Sequence, residues 1–429
     1  MTKKILAILI IVCLSLFFRL YRLNDRYTFE WDQEDDANKV TQMINRRLPL
    51  LIGPQVANED SFFVGPYHYY FLLPFYLFTK GEPIAGAYAS VAIGVITSTI
   101  AFLITNSLFG FSTGLISGLF FAANPILVSW SAMYTSLFSL IIFYLATKHQ
   151  FPLAYFLLGL AITTHLASAS MLIPVVYVTF FLPPKIKNPS MLILLFIIPF
   201  VPIFIFDLRH NFLNLHKIIE FIFIQKSTSN PPLLFLKTFW RSLDFIGSPG
   251  FTTASRVLSL FILLLGIKST TPKTSRVFTF LWTMSPLFAL SFYRGNISEY
   301  YYGSVTTLIP IFLARLISQI RKEIIIVFIL LLFFLIKLSL LIQSYQNITL
   351  KTKKNLVSYL INQKRDQFFN LSYDLPAGWN HGYSYIFKFY GKEPKNIPEA
   401  HLYTLSLLSN PPSGGELVYQ QPPLGIFRR

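Results

Sequence analysis

The chain has 429 residues, of which 53% are hydrophobic and 13% are charged, about half of the roughly 25% that soluble domains carry. This composition excludes an ordinary soluble globular protein and indicates a polytopic membrane protein. The net charge of +17 comes from short basic clusters between apolar runs, which membrane topology and anionic lipid headgroups explain better than nucleic-acid binding.

The first apolar run predicts a membrane helix over residues 5–23. Two lysines precede it, as in a signal peptide, but Arg19, Tyr21 and Arg22 stand where a small-residue cleavage site would follow. We therefore expect this helix to stay uncleaved. The single Cys13 lies inside it, so no intrachain disulfide is possible.

An acidic stretch follows the first helix. Five of the 19 Asp and Glu residues lie between Glu30 and Asp36. If the segment is helical, Asp32 and Asp36 share a face, and carboxylates that close raise one another's pKa or hold a cation or a basic substrate. Either property suits a catalytic base; the alternative is a solvated acidic loop. Lys39 and the arginines beyond it make the helix amphipathic, so it would lie on the membrane.

The remaining apolar runs predict further membrane helices. A span needs about 20 apolar residues, and several runs are shorter, which indicates tilted or broken helices. Counting the first helix, the predicted spans are 5–23, 84–109, 113–128, 131–146, 152–164, 167–182, 191–206, 254–267, 277–292, 304–316 and 324–342.

Charge decides the topology. If residues 67–78 lie along the surface, the basic loops near residues 148, 185, 273 and 321 all fall in the cytoplasm, as the positive-inside rule requires. The N-terminus is then inside, and the polar segments whose side chains could bind or catalyse all lie outside. We predict a multi-pass protein of the plasma (inner) membrane with its site extracytoplasmic.

The predicted fold class is an α-helical polytopic membrane protein of about eleven to thirteen transmembrane helices. Residues 1–343 form the transmembrane domain, in which 24–66 are a long first extracytoplasmic loop. The polar, proline-containing segment 344–429 is predicted to be a small extracytoplasmic α+β domain. Within it, 356–361 look helical, while 368–373 and 383–390 look like strands.

Cofactor motifs are missing from the sequence. Neither a glycine-rich nucleotide loop nor an H-E-x-x-H zinc motif occurs, and the single cysteine leaves no cysteine pair to bind zinc. No cofactor is certain, although the carboxylate cluster leaves a divalent cation possible.

Two segments could bind a phosphate. Arg209 and His210 follow a long apolar run; they either end a helix at the interface or grip an oxyanion. Arg294 precedes three consecutive tyrosines, which form either an interfacial aromatic belt or a pocket with Arg294 on a lipid phosphate and Tyr300 and Tyr301 along the acyl chain.

Other polar side chains could bind substrate or lipid. His165, between two short apolar runs, either hydrogen-bonds a neighbouring helix or takes part in chemistry. His68 lies among tyrosines and is open to both readings. The predicted substrate or lipid-binding set is Glu34, Tyr67, His68, His165, Tyr300 and Tyr301.

These motifs together resemble the C-type superfamily of integral-membrane glycosyltransferases, in the branch of protein O-mannosyltransferases, the aminoarabinose transferase of lipid A and Rgt-type relatives. The resemblance covers most of the chain. It rests on the order of Trp31-Asp32-Gln33, Gly65-Pro66-Tyr67-His68-Tyr69-Tyr70, Thr164-His165-Leu166, Phe206-Asp207-Leu208-Arg209-His210 and Tyr300-Tyr301-Tyr302.

The resemblance implies transfer of a sugar from a polyprenyl phosphate to a hydroxyl of a lipid, glycan or protein on the outer face. Asp32 would be the base and Asp36 the second choice, because Gln33 stands where the family often has Glu. Arg209, His210 and Arg294 would stabilise the departing phosphate. The family's proline pair is here Gly65-Pro66.

The alternative from another class is a transporter or flippase of lipid-linked glycans. Duplicated halves and paired interrupted helices are not evident, and charges concentrate in loops rather than at the middle of the membrane. A polymerase or ligase of surface glycans would differ mainly in its donor.

Overall fold

The structure is a computed structural model that describes residues 2–56, 61–124, 131–182, 188–223, 233–245, 252–270, 273–293, 296–343, 348–362, 369–395, 397 and 400–428. Within them the chain is mostly helical. The helices are α1 (Thr2–Leu20), α2 (Leu23–Arg26), α3 (Trp31–Arg46), α4 (Tyr67–Phe78), α5 (Ala85–Phe109), α6 (Phe111–Ala122), α7 (Thr135–Thr147), α8 (Phe151–Thr164), α9 (Leu172–Phe181), α10 (Pro189–Ile197), α11 (Val201–Arg209), α12 (Leu213–Phe223), α13 (Leu234–Ser242), α14 (Thr252–Ser269), α15 (Lys273–Ser291), α16 (Gly303–Thr306), α17 (Leu308–Ser318), α18 (Glu323–Gln343), α19 (Leu350–Asn362) and α20 (Tyr383–Phe389).

Every predicted span contains helix. In the described part of the chain, four stretches are long and apolar enough to cross a membrane: Ala85–Phe109, Pro189–Arg209, Glu299–Ser318 and Glu323–Gln343. Shorter apolar helices account for other spans. The expected breaks also occur: α10 and α11 are separated by a 3-10 turn, Ile198–Phe200, that contains Pro199. A proline removes a backbone N–H and interrupts the helical ladder there.

The chain forms two compact units. The large unit comprises Met1–Arg19, Leu50–His68 and Val91–Leu341. The small unit comprises Leu20–Pro49, Tyr69–Ser90 and Ile342–Arg429, so it combines the acidic segment with the C-terminal segment. The predicted domain division at residue 343 stays a prediction.

Close helix packing holds the large unit together. A Cβ at Gly159 would lie 2.2 Å from the Phe196 carbonyl oxygen, so only glycine lets α8 approach α10 this closely. Around Trp282, aromatic rings fill the core: its Nε1 donates to the Ser304 carbonyl at 3.0 Å, and Phe143 lies 5.3 Å from its ring. Small residues at helix contacts and aromatic rings therefore pack together with the aliphatic side chains of this core.

Arg19 explains how a charged residue fits at the end of α1. Its guanidinium donates to the carbonyls of Ala122 and Phe121 at 3.0 and 3.1 Å and to Ser15 Oγ at 2.6 Å. The two carbonyls belong to the last turn of α6, whose oxygens lack helical partners. This buried arginine thus caps α6 and joins it to α1.

The small unit contains a four-stranded sheet of order β1-β2-β4-β3. Its strands are β1 (Asn370–Asp374), β2 (Leu402–Leu407), β3 (Glu416–Gln421) and β4 (Leu424–Arg428). β1 and β2 are parallel, with α20 between them along the chain, while β4 pairs antiparallel with β2 and β3. The α+β character and the strand near 370 match the prediction.

The predicted strand at 383–390 is wrong, because Tyr383–Phe389 is the helix α20. Its aromatic residues have high strand propensity, which misled the prediction. The buried positions Tyr383, Ile386 and Phe387 instead follow helical spacing. Gly382, at φ +90°, starts the helix in a conformation that favours glycine.

Candidate functional site

The acidic segment is helical over Trp31–Arg46, which meets the condition under which Asp32 and Asp36 share a face. Glu30 precedes the helix, and the Gln33 side chain returns to accept from the Glu30 backbone N–H at 3.0 Å. This contact is half of a capping box, and it satisfies a donor that the first turn leaves without a helical partner. The sequence therefore fixes where α3 begins, one residue before Asp32.

Asp32 and Asp36 lie one turn apart on α3 but differ in environment. Asp36 is only 4% exposed and belongs to the buried face with Gln33, Ala37 and Val40. Asp32 is exposed, in the first turn. The N-terminus of a helix favours negative charge, so the first turn suits an ionised carboxylate that water and substrates can reach.

The carboxylates affect their neighbours electrostatically. Burial raises the pKa of Asp35, with smaller contributions from Asp36 and Glu34, while Lys39 acts in the opposite direction. Burial raises the pKa of Tyr69 above its usual range, and Asp36, Asp35 and Asp32 add to the effect. The cluster is therefore a strongly negative environment that favours a cation or a proton.

Glu34 has a defined structural partner. Its Oε2 accepts from the Gly382 N–H at 2.7 Å and its Oε1 accepts from the Tyr385 N–H at 2.8 Å. Both amides belong to the start of α20, so Glu34 caps that helix across the small unit. Its predicted role in substrate binding stays a prediction.

Lys353, on α19, is a residue that the sequence did not single out. It is fully buried, and its Nζ donates to the carbonyls of Phe29 and His381, each at 2.7 Å. Burial lowers the pKa of Lys353 to about 8, and Glu30 and Glu34 act in the opposite direction. At pH 7 the side chain is therefore mostly a charged donor.

Arg209 and His210 end α11 in the large unit, and both are exposed. The His210 ring stacks on Phe206 with centroids 4.1 Å apart, and its Nδ1 lies 2.8 Å from the Phe206 carbonyl oxygen. Since a carbonyl only accepts, Nδ1 carries the proton, and a neutral His210 offers Nε2 as an acceptor only. The Arg209 guanidinium, by contrast, carries only N–H donors and a positive charge.

The neighbouring Asp207 has a structural role. Its Oδ1 accepts from the Asn214 N–H at 2.7 Å in the first turn of α12, and the Asn214 side chain in turn binds the backbone of Phe63. This network fixes the turn that presents Arg209 and His210. Neither of these two contacts another predicted site residue described in the large unit.

His165, Tyr300 and Tyr301 come together in the large unit. The His165 ring meets both tyrosine rings edge to face, with centroids 5.6 Å apart. Its Nδ1 is buried without a hydrogen-bond partner among the described residues. A buried polar nitrogen is normally paired, so a ligand group is a suitable partner for it. Arg294, predicted beside these tyrosines, lies outside the described residues.

Tyr67 and His68 are occupied by protein contacts. The Tyr67 hydroxyl donates to the Pro199 carbonyl at 2.9 Å. His68 is fully buried, and its Nδ1 lies 3.1 Å from the Tyr134 hydroxyl oxygen. Their predicted roles in substrate binding stay predictions.

Metal ligands are sparse where the structure can be searched. Across the described ranges, no group of three or more His, Cys, Asp or Glu side chains is arranged to hold a metal ion. The carboxylates of α3 are among these residues, so a divalent cation at the acidic cluster stays a prediction.

Solved structures share this architecture. ArnT from Cupriavidus metallidurans in the apo state aligns with a TM-score of 0.61 at 11% identity, over 100% of this chain and 97% of that chain. The same protein bound to undecaprenyl phosphate gives 0.57 at 11%, with the same coverage.

An archaeal structure is also similar. The Archaeoglobus fulgidus oligosaccharyltransferase in complex with zinc and sulfate gives a TM-score of 0.51 at 13% identity, over 90% of this chain and 62% of that chain. No family model and no curated protein sequence matches the chain. The chain therefore has the polytopic membrane fold of ArnT, which confirms the fold class predicted from its composition and apolar runs.

Proposed function

We propose that the chain is an integral-membrane glycosyltransferase. It moves a sugar from a polyprenyl-phosphate donor to a hydroxyl of a lipid, glycan or protein on the extracytoplasmic face. The observation that carries this proposal is the end-to-end similarity of fold to ArnT, one of whose structures contains undecaprenyl phosphate. The membrane fold and the missing nucleotide loop agree with a lipid-linked donor.

In this mechanism the acceptor hydroxyl loses its proton to Asp32. The exposed first turn of α3 gives that carboxylate access to a polar acceptor, whereas Asp36 is buried one turn further on. The acceptor oxygen then attacks the anomeric carbon, and the bond from that carbon to the phosphate oxygen breaks. The leaving group is a polyprenyl phosphate, which fixed cations stabilise without any nucleotide.

Arg209 is the preferred cation for that phosphate among the described residues. Its planar guanidinium can donate two parallel hydrogen bonds to phosphate oxygens. His210 would have to become doubly protonated before its Nε2 could donate as well. His165 and the two tyrosines beside it supply aromatic surface and one unpaired nitrogen for the sugar or the lipid.

We expect Arg209→Ala to weaken donor binding by about 10-fold to 100-fold, because a charge-assisted contact to phosphate contributes roughly 1.5–3 kcal/mol. Binding of undecaprenyl phosphate to the purified protein, measured by native mass spectrometry, checks this. Arg241→Ala is the matched control, since Arg241 is also exposed but forms an ion pair with Glu299 at 2.9 Å. Equal affinities of the two variants would remove Arg209 from the donor site.

The direct test of the proposed function is lipid analysis. Mass spectrometry of lipids that co-purify with the protein should find a polyprenyl phosphate, free or carrying a sugar. Membranes that contain the protein should then consume the sugar-linked form and release the free phosphate. Sugar-linked lipid that only crosses the membrane, without loss of its sugar, would support a flippase instead.

A further inference from the structure

We propose that the C-terminal segment positions the acidic helix, with Lys353 and Glu34 as the positioning residues. The inference rests on the proposed function, in which α3 carries the base, and it adds a role for residues beyond the last membrane span. All of the contacts concerned lie within the small unit.

Lys353 binds the residues that come just before two helices, α3 and α20. Its buried ammonium reaches Phe29, two residues before α3, and His381, two residues before α20, at 2.7 Å in both cases. The ring of Tyr383 lies 5.2 Å from the same nitrogen. A buried charge is costly unless it is satisfied, and here both acceptors are backbone oxygens. The contact therefore fixes main chain rather than a mobile side chain.

Glu34 makes the reciprocal connection from α3. Its two oxygens bind the amides of Gly382 and Tyr385, so the start of α20 is held by a carboxylate of the acidic helix. About two turns further along α3, Thr41 Oγ1 lies 2.8 Å from the Tyr385 hydroxyl, which donates to the Gly81 carbonyl at 2.8 Å. The two helices are thus joined at two levels.

These contacts act on the residue next to the base. Trp31 stacks on the His381 ring with centroids 4.9 Å apart and an interplanar angle of 20°. Lys353 binds the His381 carbonyl, and Glu34 binds the N–H of the residue that follows. These contacts hold in place the His381 ring on which Trp31 stacks. The direction of the adjacent Asp32 follows from the orientation of this first turn.

Lys351, on the same helix as Lys353, provides the matched control. It pairs with Asp25 at 2.9 Å, and its side chain is 56% exposed. An exposed ion pair contributes little to stability, so its loss leaves the backbone where it is. Lys351→Met and Lys353→Met remove the same charge from the same helix, but only Lys353 is buried and bound to backbone carbonyls.

The first test is hydrogen exchange of the full-length protein in detergent micelles. We expect Lys353→Met to raise exchange of the amides in residues 29–36 and 381–385 by about tenfold, because it leaves the buried Phe29 carbonyl and the partly buried His381 carbonyl without their donor. Lys351→Met should leave these peptides unchanged. Unchanged exchange in the Lys353→Met variant, or an equal rise throughout the sheet, would overturn the positioning role.

The second test separates positioning from stability. Sugar transfer is measured with a polyprenyl-phosphate-linked sugar extracted from the cells that produce the protein. Lys353→Met should lower kcat by up to about 10²-fold, which is the effect of a displaced catalytic group. The KM for the donor should change less than about twofold, since the donor cations lie on other residues. A rise in KM at constant kcat would contradict the inference.

Glu34→Gln keeps the inference testable if Lys353→Met does not accumulate. Glu34→Gln retains the Lys353 contacts, and we expect it to raise exchange of the amides in residues 381–385, as Lys353→Met does. The double variant should raise exchange by less than the product of the two single-variant factors, because both substitutions loosen the same set of contacts. Fully additive effects would contradict the inference. If exchange changes as expected while the wild-type chain transfers no sugar, the positioning stands and the proposed function fails.

Discussion

Replacing Asp32 by Asn should reduce sugar transfer by about 10²-fold to 10⁴-fold, the range that a positioned general base contributes. Asn has nearly the same shape but cannot accept the acceptor's proton. Asp32 is exposed and Asn keeps its volume, so protein level and donor binding should stay normal. Transfer is measured in membranes that contain equal amounts of each variant.

Asp36→Asn and Asp374→Asn complete the experiment. Asp36 is the second choice for the base, but it is buried, so its replacement should disturb packing as well as charge. Asp374 is an exposed carboxylate at the end of β1 and serves as the control. Loss of transfer in the Asp36 variant alone would move the base by one turn. Normal transfer in both the Asp32 and the Asp36 variant would exclude these two carboxylates as the base.

Replacing Gly382 by Ala should lower the free energy of unfolding by about 3 kcal/mol or more, through two separate effects. Gly382 has φ +90°, where a side chain is strained by roughly 1 kcal/mol. A Cβ there would also lie 2.0 Å from the Phe29 carbonyl oxygen and 3.1 Å from Lys353 Nζ. The backbone must move, and the lysine contact opens with it.

Gly378→Ala isolates the first of these effects. Gly378 has φ +89°, and a Cβ at that position meets nothing within 4 Å. It should therefore cost only the strain, about 1 kcal/mol. Unfolding of both variants in detergent, followed by far-ultraviolet circular dichroism, gives the difference. Equal stabilities would mean that the approach of Phe29 to Gly382 does not constrain the chain.

The acidic helix was predictable because its signals are local. The concentration of carboxylates, the four-residue spacing of Asp32 and Asp36 and the polar flanks all lie within one short stretch. The difference in exposure between the two carboxylates was not predictable. It depends on which face of α3 packs, and the acidic side chains occupy both faces.

The lysine that holds this helix gives no local signal. Its acceptors are backbone carbonyls 324 and 28 residues away along the chain, and any residue type supplies a carbonyl. The sequence shows only one basic residue among several on α19. Similarly, Arg209 and His210 at the end of α11 could be predicted as a pair, but the hydrogen bond that fixes the proton of His210 on Nδ1 could not.

The helices α12 and α13 were missed for a related reason. Their 11 and 9 residues are too few to span a membrane, and their polar positions resemble those of a loop. The mistaken strand at 383–390 shows the converse error, in which aromatic content outweighed periodicity. Short segments between membrane spans are therefore where the sequence was least informative.

The carboxylate of Glu34 and the amide of Gly382 are separated by 348 positions along the chain. The acidic helix therefore leaves the ribosome long before the C-terminal residues that bind it have been translated. Until the last segment has been made and has folded, the nascent protein lacks the restraint that orients its carboxylates. A chain terminated near residue 345 would retain the membrane helices but lack the contacts of Lys353 and Gly382 to the acidic helix and to Phe29 before it.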